Sequence, residues 1–530
     1  MNENSNITQQ QSSSNRILTD RLSFCELLGV RPDDVEHFNI RIDPNSLSRV
    51  IDVKLKPTYT SCPACGSTHP YIKGYYTKKL PYTNIGNNPT YINHKVRRYQ
   101  CRNCNITYSE NSPFHLEGYK ISLPVIMSVL DHLKDPNITF QKCAELHNIS
   151  NTSVAYIFDN HVDMSKYKLP EYFCIDEVYA GTNKKSKYIC VLLDYKTKNP
   201  IDILPSRKKV DLEKYFLRIP IEERDNVRVI CTDMYDPYKL VIKDLFPHTL
   251  HVIDRFHVAQ DLNRLVNRFR IKLMNQQEKG SINYYLLKHF NYLLFHELDE
   301  LLDPNRKRKY NHKLKRLLNY YEIKECLLAI DPRLKDIINL KDRLSMFYDN
   351  YLILSKDDKM PKIKIPEPVY NKYGKQTKKS QKERATAIKW NQKKAITPKE
   401  ADRILEDIIL DFSRSEFEEM QHFARTLLKW KEEIKNGIRV YKELSYKNIN
   451  NAIIENRNKI IKNIKHASNG YKNFERFRNR ILYSLRSDST HRLTPIEEQL
   501  HAKRLRNKRS YEQYKKTNKK RKKSNNKTSE

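Results

Sequence analysis

The sequence lacks any apolar run near the ~20 residues that a membrane-spanning helix requires. It also opens without a signal-peptide pattern, because its first 15 residues are polar and rich in Asn, Gln and Ser. Glycine is scarce, at 10 of 530 residues, while Lys and Asn are abundant, a bias that indicates an AT-rich gene more than a function. No internal repeat is evident. We therefore expect a cytoplasmic protein with no membrane partner.

Acidic residues are also few relative to basic ones, with 63 Asp and Glu against 98 Lys and Arg, for a net charge of +35. Such an excess of positive charge indicates a polyanionic partner, either nucleic acid or an anionic membrane surface. Because nothing else in the sequence favours a membrane, nucleic acid is the better prediction. A length of 530 residues predicts several domains.

The ten cysteines do not form the framework of a small secreted protein, and they fit a reducing compartment. Four of them form two Cys-x-x-Cys pairs, Cys62 with Cys65 and Cys101 with Cys104. Thiolates at this spacing can close a tetrahedral structural zinc site, and we predict a zinc ribbon. The alternative is a set of reduced cysteines without metal. The many basic residues around the pairs are a DNA contact or simply a solvated face.

Helical spacing before residue 168 predicts a helix-turn-helix. Thr139 to Leu146 forms its first helix, and Asn151, Thr152 and Ser153 begin the second, where side chains of such motifs meet base edges. Ala144, Leu146, Ile149, Val154 and Ile157 are its predicted core. The second helix has no Lys or Arg, so a plain helical hairpin between two domains is the alternative.

Three acidic residues follow strongly apolar runs that are typical of buried central strands: Asp176, Asp233 and Asp254. A carboxylate at the mouth of a buried strand is costly to leave unpaired, so a metal or basic partner is expected. Converging carboxylates form a site for hard divalent cations. The order of strands and helices between residues 170 and 233 predicts an RNase H-like fold.

A later helix carries Glu455, which with Asp176 and Asp233 completes a set of three candidate acids. Ile453, Ile460 and Ile464 are its predicted apolar stripe, and Lys459 and Lys462 share the adjacent face with Glu455. On that face the two lysines could bind a DNA phosphate next to the metal site.

Taken together, these residues resemble the DDE superfamily of transposases, and specifically the ISL-three family of bacterial insertion sequences. The motifs that match are Ile175-Asp176-Glu177, Thr232-Asp233-Met234, the run from Asp254 through Arg255, Phe256 and His257 to Val258, Glu455 with Asn458 and Lys462, and the run Gly470 to Phe474 leading to Arg478 and Arg480. Asn450-Asn451-Ala452 and Asn456 depart from the family pattern and put the local backbone geometry in doubt.

The resemblance implies that Asp176, Asp233 and Glu455 bind two Mg²⁺ ions, with Mn²⁺ as a possible substitute, and cleave and join double-stranded DNA. Asp254 and His257 either support the site or pack locally, and Asn458 and Lys462 are further supporting residues. The expected partners are the inverted-repeat ends of the element and target DNA, bound by a homodimer in a bacterial, nucleoid-associated setting.

The resulting fold class is multidomain α/β, with a zinc ribbon, a helix-turn-helix and an RNase H-like core interrupted by a large helical insertion. The predicted segments are a disordered 1–16, the ribbon 17–115, the helix-turn-helix 116–168, the core 169–257, the insertion 258–448, the core helix 449–486 and a basic tail 487–530. Two other functions are considered: a catalytically silent DNA-binding regulator derived from a transposase, and a different RNase H-like nuclease such as a resolvase.

Overall fold

The computed structural model describes residues 25, 28–57, 61–86, 88–116, 118–181, 186–296, 302–355 and 358–493. The predicted disordered segment 1–16 and residues 494–530 of the basic tail lie outside this part of the chain. Two compact units are distinguished, unit 1 with Met1–Ser165 and Asn463–Glu530, and unit 2 with Lys166–Lys462. Within the described ranges, every helix is too short or too polar to cross a membrane.

A five-stranded sheet forms the first part of unit 1. Its strands are β1 (Val35–Ile42), β2 (Arg49–Leu55), β3 (Pro70–Ile85), β4 (Asn88–Cys101) and β5 (Thr107–Ser109). They are ordered β1-β2-β4-β3, and β5 also pairs with β4. Only β2 and β4 are parallel among these pairs. The long β3–β4 hairpin accounts for most of the spacing between the two cysteine pairs.

The two cysteine pairs lie at tight turns that bring their sulfur atoms together. Cys62 Sγ is 3.5 Å from Cys104 Sγ, and Cys65 Sγ is 3.6 Å from Cys101 Sγ. All four sulfurs lie within 4.8 Å of one another. Backbone N–H groups in the turns are the main cause that lowers the pKa of the Cys62 thiol, and that of Cys101 to about 6. These donors fit a closed, tetrahedral zinc site.

Three helices follow the sheet: α1 (Leu123–His132), α2 (Phe140–His147) and α3 (Asn151–His161). Thr139 and Ser150 cap α2 and α3, because their side chains accept hydrogen bonds from the backbone N–H groups three residues later. The turn between these helices contains Asn148, whose φ of 52° is left-handed. Leu146 was a wrong core prediction because it is 40% exposed, whereas Cys143 is fully buried.

A buried arginine fixes the end of α1. Arg480 lies on α16 (Phe474–Leu485), the last helix in the described part of the chain, and it is 1% exposed. Its guanidinium donates to the carbonyl oxygens of Asp135 and Ile138, both at 2.8 Å, and also to that of Leu133. These carbonyls belong to the chain that links α1 to α2, so one buried side chain satisfies several backbone acceptors of that link.

A second five-stranded sheet forms the centre of unit 2. Its strands are β6 (Tyr172–Tyr179), β7 (Tyr188–Asp194), β8 (Pro200–Leu204), β9 (Val229–Thr232) and β10 (Leu250–Ile253), and the accompanying helices are α4 (Lys209–Phe216), α5 (Ile221–Asp225) and α6 (Asp236–Leu245). The order is β10-β9-β6-β7-β8. β6, β7 and β8 are antiparallel neighbours, while β9 and β10 are parallel to β6. Apolar residues on both faces bury these strands.

The region 258–448 is mainly helical but also contains two small two-stranded sheets. Its helices are α7 (Arg255–Asn275), α8 (Ile282–His289), α9 (Tyr320–Leu328), α10 (Pro332–Asn350), α11 (Lys378–Gln392), α12 (Pro398–Ser413), α13 (Glu418–Lys429) and α14 (Lys431–Asn436). Its strands are β11 (Lys309–Asn311), β12 (Arg316–Leu318), β13 (Tyr351–Leu352) and β14 (Lys394–Ala395). Their apolar faces form one continuous core.

The basic, polar composition of the Lys-rich segment from Pro361 to Pro398 predicts a linker or exposed arm. In the structure the segment contains α11. Thr377 caps this helix by accepting a hydrogen bond from the backbone N–H of Ser380. The indole of Trp390 donates to the carbonyl oxygen of Pro361 at 2.9 Å, which ties the start of the segment to the helix. A few such contacts are enough to order a segment whose composition is polar.

Helix α15 (Ala452–Ala467) carries the third candidate acid, and the division between the units falls within it. Its buried apolar residues are Ile454, Ile461 and Ile464, so the predicted stripe of Ile453, Ile460 and Ile464 was out of phase. Glu455, Lys459, Lys462 and His466 are exposed on the helix, as the sequence pattern indicates.

Replacing Arg480 with Met should strongly destabilise unit 1. The carbonyls of Leu133, Asp135 and Ile138 lose the donor that the buried guanidinium supplies, and we expect a loss of about 3–5 kcal/mol. Arg476→Met is the matched control on the same helix, because Arg476 forms a partly exposed ion pair with Asp159; its loss should cost about 1 kcal/mol. Urea denaturation compares the two variants. Equal midpoint shifts would contradict this prediction, because Arg480 would then stabilise the protein no more than a partly exposed ion pair does.

Replacing Cys101 with Ser should remove one zinc ion per chain and destabilise the first sheet. A structural zinc site loses its closed tetrahedral shell when one of its four thiolates is removed. Metal analysis by mass spectrometry of the purified protein measures the loss. Cys326→Ser is the control, since this thiol lies in unit 2 and outside the cysteine cluster. Unchanged zinc content in the Cys101 variant contradicts the assignment.

Candidate active site

Strand register places three acidic residues level with one another in unit 2. Cys174 on β6 pairs with Cys231 on β9, so two residues further along the parallel pair Asp176 comes level with Asp233. Ile253 on β10 pairs with Thr232, and the next position on that strand is Asp254, also level with Asp233. Three neighbouring strands therefore present their carboxylates at the same edge, because parallel strands advance together.

Asp233 is held by two side chains from distant parts of unit 2. His257 Nε2 lies 2.8 Å from Asp233 Oδ1, and Asn451 Nδ2 donates to the same oxygen at 3.0 Å. Burial lowers the pKa of His257, but the hydrogen bond and negative charge of Asp233 outweigh it and raise the pKa above its usual value. Asp233 thus has a fixed orientation before any ligand binds.

Asp176 is the most strongly perturbed carboxyl of this site. Burial is the main cause that raises its pKa to about 8, and the charges of Asp233 and Glu455 add to the effect. The charge of His257 acts in the opposite direction. Asn458 Nδ2 donates to Asp176 Oδ2 at 2.5 Å, and the backbone N–H of Glu177 donates to Oδ1 at 2.7 Å. These contacts orient the group without supplying a full counter-charge.

Asp254 connects two helix starts. Its carboxylate caps α7 by accepting a hydrogen bond from the backbone N–H of Phe256 at 3.2 Å, and it accepts another from the backbone of Asn451. The latter residue immediately precedes α15. Burial raises the pKa of Asp254, although these two N–H groups and the charge of His257 counteract the rise. Asp254 therefore has a clear role in joining β10, α7 and the start of α15.

Glu455 reaches this cluster from the first turn of α15. Single ligand atoms of Asp254, His257 and Glu455 all lie within 4.8 Å of one another. Glu455 is exposed, whereas Asp176 and Asp254 are buried. The helix therefore brings a solvent-accessible carboxylate beside acids that the sheet has fixed.

The donors of this site suit a hard divalent cation. Carboxylate oxygens predominate, and the buried Oδ1 atoms of Asn451 and Asn458 make no hydrogen bond to any described residue. Oxygen-rich sites of this kind favour Mg²⁺ or Mn²⁺ over softer metals. The ligand atoms that lie within 4.8 Å of one another are those of Asp254, His257 and Glu455. The predicted set of Asp176, Asp233 and Glu455 shares Glu455 with that group, and the charges of Asp233 and Glu455 both act on Asp176. The residues present therefore fit a hard divalent metal ion.

Glu177 has other partners despite its position next to Asp176. Its carboxylate forms an ion pair with Arg207 and accepts a hydrogen bond from the Tyr238 hydroxyl at 2.9 Å. A strand alternates its side chains between its two faces, which accounts for the separation of the two neighbours. The contacts with Arg207 and Tyr238 therefore give Glu177 structural partners away from Asp176.

The remaining predicted site residues lie on exposed surfaces. Lys459 and Lys462 are exposed on the face of α15 that carries Glu455, and neither forms an ion pair with another described residue. In unit 1, Asn151 and Thr152 are exposed at the start of α3 and Ser153 is partly exposed. These positions leave the side chains accessible to an external ligand.

Asn451 is the functional candidate that the sequence reading missed. It stands in the motif Asn450-Asn451-Ala452, which departs from the family pattern. Its side chain contacts Asp233, and its backbone contacts Asp254. The position, four residues before Glu455 at the start of the helix, is the signal that could have identified it.

Comparison with known proteins adds three similarities. The family model of the ISL-three DDE transposases matches residues 173–481. A model described as the zinc-finger of transposase IS204/IS1001/IS1096/IS1165 matches residues 58–104, which include all four clustered cysteines. A transposase for insertion sequence element IS1001 from Bordetella parapertussis is 22% identical over 264 residues, or 49% of this chain.

The match to the Bordetella protein covers 64% of that protein's length, so the chain spans less than two thirds of this relative. The match to the transposase family model is more extensive. It runs from β6 through the insertion to α16 and includes more than half of the chain. Together with the zinc ribbon at residues 58–104, this shows that the chain belongs to the ISL-three family of insertion-sequence transposases.

Proposed function

We propose that this protein is an active DDE transposase that cleaves DNA at the ends of its insertion sequence and joins those ends to target DNA. The observation that carries this proposal is the convergence of acids from separate parts of the sequence: strand register makes Asp176 level with Asp233 and Asp254, and Glu455 lies beside Asp254 and His257. Converging carboxylates that His257 offsets only in part favour a metal-dependent reaction over a purely structural role. The strand order of the second sheet supports an RNase H-like core.

In this proposal Asp176, Asp233 and Glu455 hold two Mg²⁺ ions, for which Mn²⁺ could substitute. The ions supply activation of water or a DNA 3′-hydroxyl and stabilise the leaving oxygen. His257 and Asn451 keep Asp233 in position, and Asn458 does the same for Asp176. Lys459 and Lys462 bind a DNA phosphate beside Glu455.

DNA recognition is assigned to unit 1. The α2–turn–α3 segment acts as a helix-turn-helix in which Asn151, Thr152 and Ser153 contact the terminal inverted repeats. Because α3 contains no Lys or Arg, its affinity must come from elsewhere. The ribbon sheet supplies exposed tyrosines with nearby cations, such as Lys95 Nζ at 5.3 Å from the Tyr75 ring. Two element ends must be brought together, so we propose a homodimer on DNA.

Asp233→Asn should abolish excision from a donor plasmid that carries the element's own ends, by at least about a thousandfold. The reason is the loss of one negative ligand at the proposed metal site, while DNA recognition in unit 1 is unchanged. Binding to the ends, measured by gel shift, should therefore persist. Asp236→Asn is the matched control, because this exposed acid on α6 pairs with Lys429 instead.

Excision by an Asp233→Asn variant at the wild-type rate would refute the site assignment. A different outcome, in which wild type and variant both bind the ends and neither excises, favours the catalytically silent regulator. Terminal inverted repeats beside the gene distinguish a transposase from a resolvase-like nuclease.

Replacement of ligands by cysteine should separate the two possible metal-binding sets. A thiolate is a softer ligand than a carboxylate, so Mn²⁺ accepts it better than Mg²⁺ does. We expect Asp233→Cys to cleave DNA with Mn²⁺ and to be at least tenfold slower relative to wild type with Mg²⁺. The equivalent Asp254→Cys variant should show no such metal preference, because Asp254 caps α7 in our assignment.

Rescue of Asp254→Cys by Mn²⁺, with no rescue of Asp233→Cys, would move the metal to Asp254, His257 and Glu455. Circular dichroism of both variants controls for loss of the fold. Single-turnover cleavage of a short duplex with one element end is the appropriate measurement, because it excludes product release.

A further inference from the structure

A cluster of metal-binding residue types lies in unit 1 apart from the four-cysteine site. His132 is the last residue of α1, and Cys143 and His147 lie one turn apart on α2. Single ligand atoms of the three residues lie within 4.8 Å of one another. Cys143 is fully buried and His147 is 7% exposed, while His132 is partly exposed. The turn between the helices brings the three together.

Spacing on α2 explains why two of the three side chains converge. Residues four positions apart project from the same face of a helix, so Cys143 and His147 are neighbours. The end of α1 packs beside that face and adds His132. His132 Nδ1 lies only 2.9 Å from His147 Nε2. One imidazole can donate to the other at this distance, so a hydrogen-bonded pair without metal is the alternative explanation.

The thiol distinguishes this cluster from a simple histidine pair. Cys143 Sγ has a long contact of 3.9 Å with the carbonyl oxygen of Val129. That distance is at the limit of a sulfur hydrogen bond, so the thiol gains little from it. A sulfur atom within reach of two imidazole nitrogens instead completes a donor set for a borderline-soft cation.

The distances suit zinc with a small adjustment. Zn–N bonds of about 2.0–2.1 Å at a tetrahedral angle hold two nitrogens about 3.3 Å apart. The two imidazoles, now 2.9 Å apart, need to separate by only a few tenths of an ångström. Three protein ligands leave a fourth position, which a water molecule can fill because His132 is partly exposed.

Burial raises the pKa of the Cys143 thiol, and the charge of Arg480 acts in the opposite direction. The positive charge of Arg480 favours the thiolate form of Cys143 but repels a metal cation. Whether the cation binds therefore depends on how much negative charge its ligands supply. A bound thiolate offsets one of the two charges of Zn²⁺. The guanidinium is itself engaged by the carbonyl oxygens of Asp135 and Ile138.

We propose that His132, Cys143 and His147 form a second zinc site, which joins α1 to α2 in the helical segment after the ribbon. The proposal is independent of catalysis and of the proposed DNA contacts. A bound ion would link α1 and α2 by ligand bonds and stabilise the chain that connects His132 to Phe140. The imidazole and thiolate donors of this site are softer than carboxylates, so it should bind Mg²⁺ poorly, unlike the carboxylate site of unit 2.

The test is zinc content of the full chain purified with added Zn²⁺ and dialysed against buffer with weak chelator. We expect two zinc ions per chain in wild type and one in His132→Gln and in Cys143→Ala. His422→Gln and Cys326→Ala are matched controls on α13 and α9, and both should retain two. One zinc ion in wild type that is unaffected by His132→Gln and Cys143→Ala overturns the proposal.

A measurement on the wild-type protein tests the proposal even if the variants fail to fold. X-ray absorption at the zinc edge should show imidazole nitrogen together with sulfur, because one site has four sulfurs and the other has two nitrogens and one sulfur. A pure sulfur shell overturns the proposal. With Co²⁺ in place of zinc, Cys143→Ala should lower sulfur-to-metal charge-transfer absorption by about a fifth, since four of five thiolates remain.

Discussion

The burial of Asp176 beside further acidic residues is the constraint on which the centre of unit 2 depends. Burial and two neighbouring acids hold the pKa of Asp176 near 8, and His257 opposes them only in part. A fold selected for stability alone gains nothing from such a cluster, because each unpaired buried charge is costly. The surrounding amides and the imidazole orient the acids but do not neutralise them. A cation from outside the chain is the simplest way to satisfy the site.

Much of this arrangement was predictable because it depends on local sequence. Apolar runs locate the strands before Asp233 and Asp254 and within the strand of Asp176, and parallel register then makes these acids level. The face of α15 that is buried could not be predicted as well from the sequence. The buried residues are Ile454 and Ile461, whereas Ile453 and Ile460 are partly buried, because tertiary packing determines which of two adjacent apolar positions faces inward. The Cys-x-x-Cys spacing similarly predicts the ribbon, but not the length of its β3–β4 hairpin.

Contacts between distant residues were the part that the sequence could not supply. Asn451 reaches Asp233 over a separation of 218 residues, and no local pattern encodes that pair. The Lys-rich segment became partly helical because Thr377 and Trp390 find specific backbone partners. Leu146 is exposed although it fits a helical core pattern, since Cys143 on the same helix takes the buried position. Tertiary packing decides such cases over local propensity.

The insertion has a direct structural connection to the acidic site. Asn436, at the end of α14, donates to the carbonyl oxygen of His251 on β10 at 3.0 Å. At the next residue, a Cβ on Gly437 would lie 3.4 Å from the carbonyl oxygen of Ile253 and 3.0 Å from that of Ile434, so close packing favours glycine. Ile253 directly precedes Asp254. The insertion thus ends against the strand that leads to Asp254, and from there the chain continues to Asn451 and Glu455. An insertion held in this way limits where α15 can begin, and it therefore helps to position the third acid as well as to separate it in sequence.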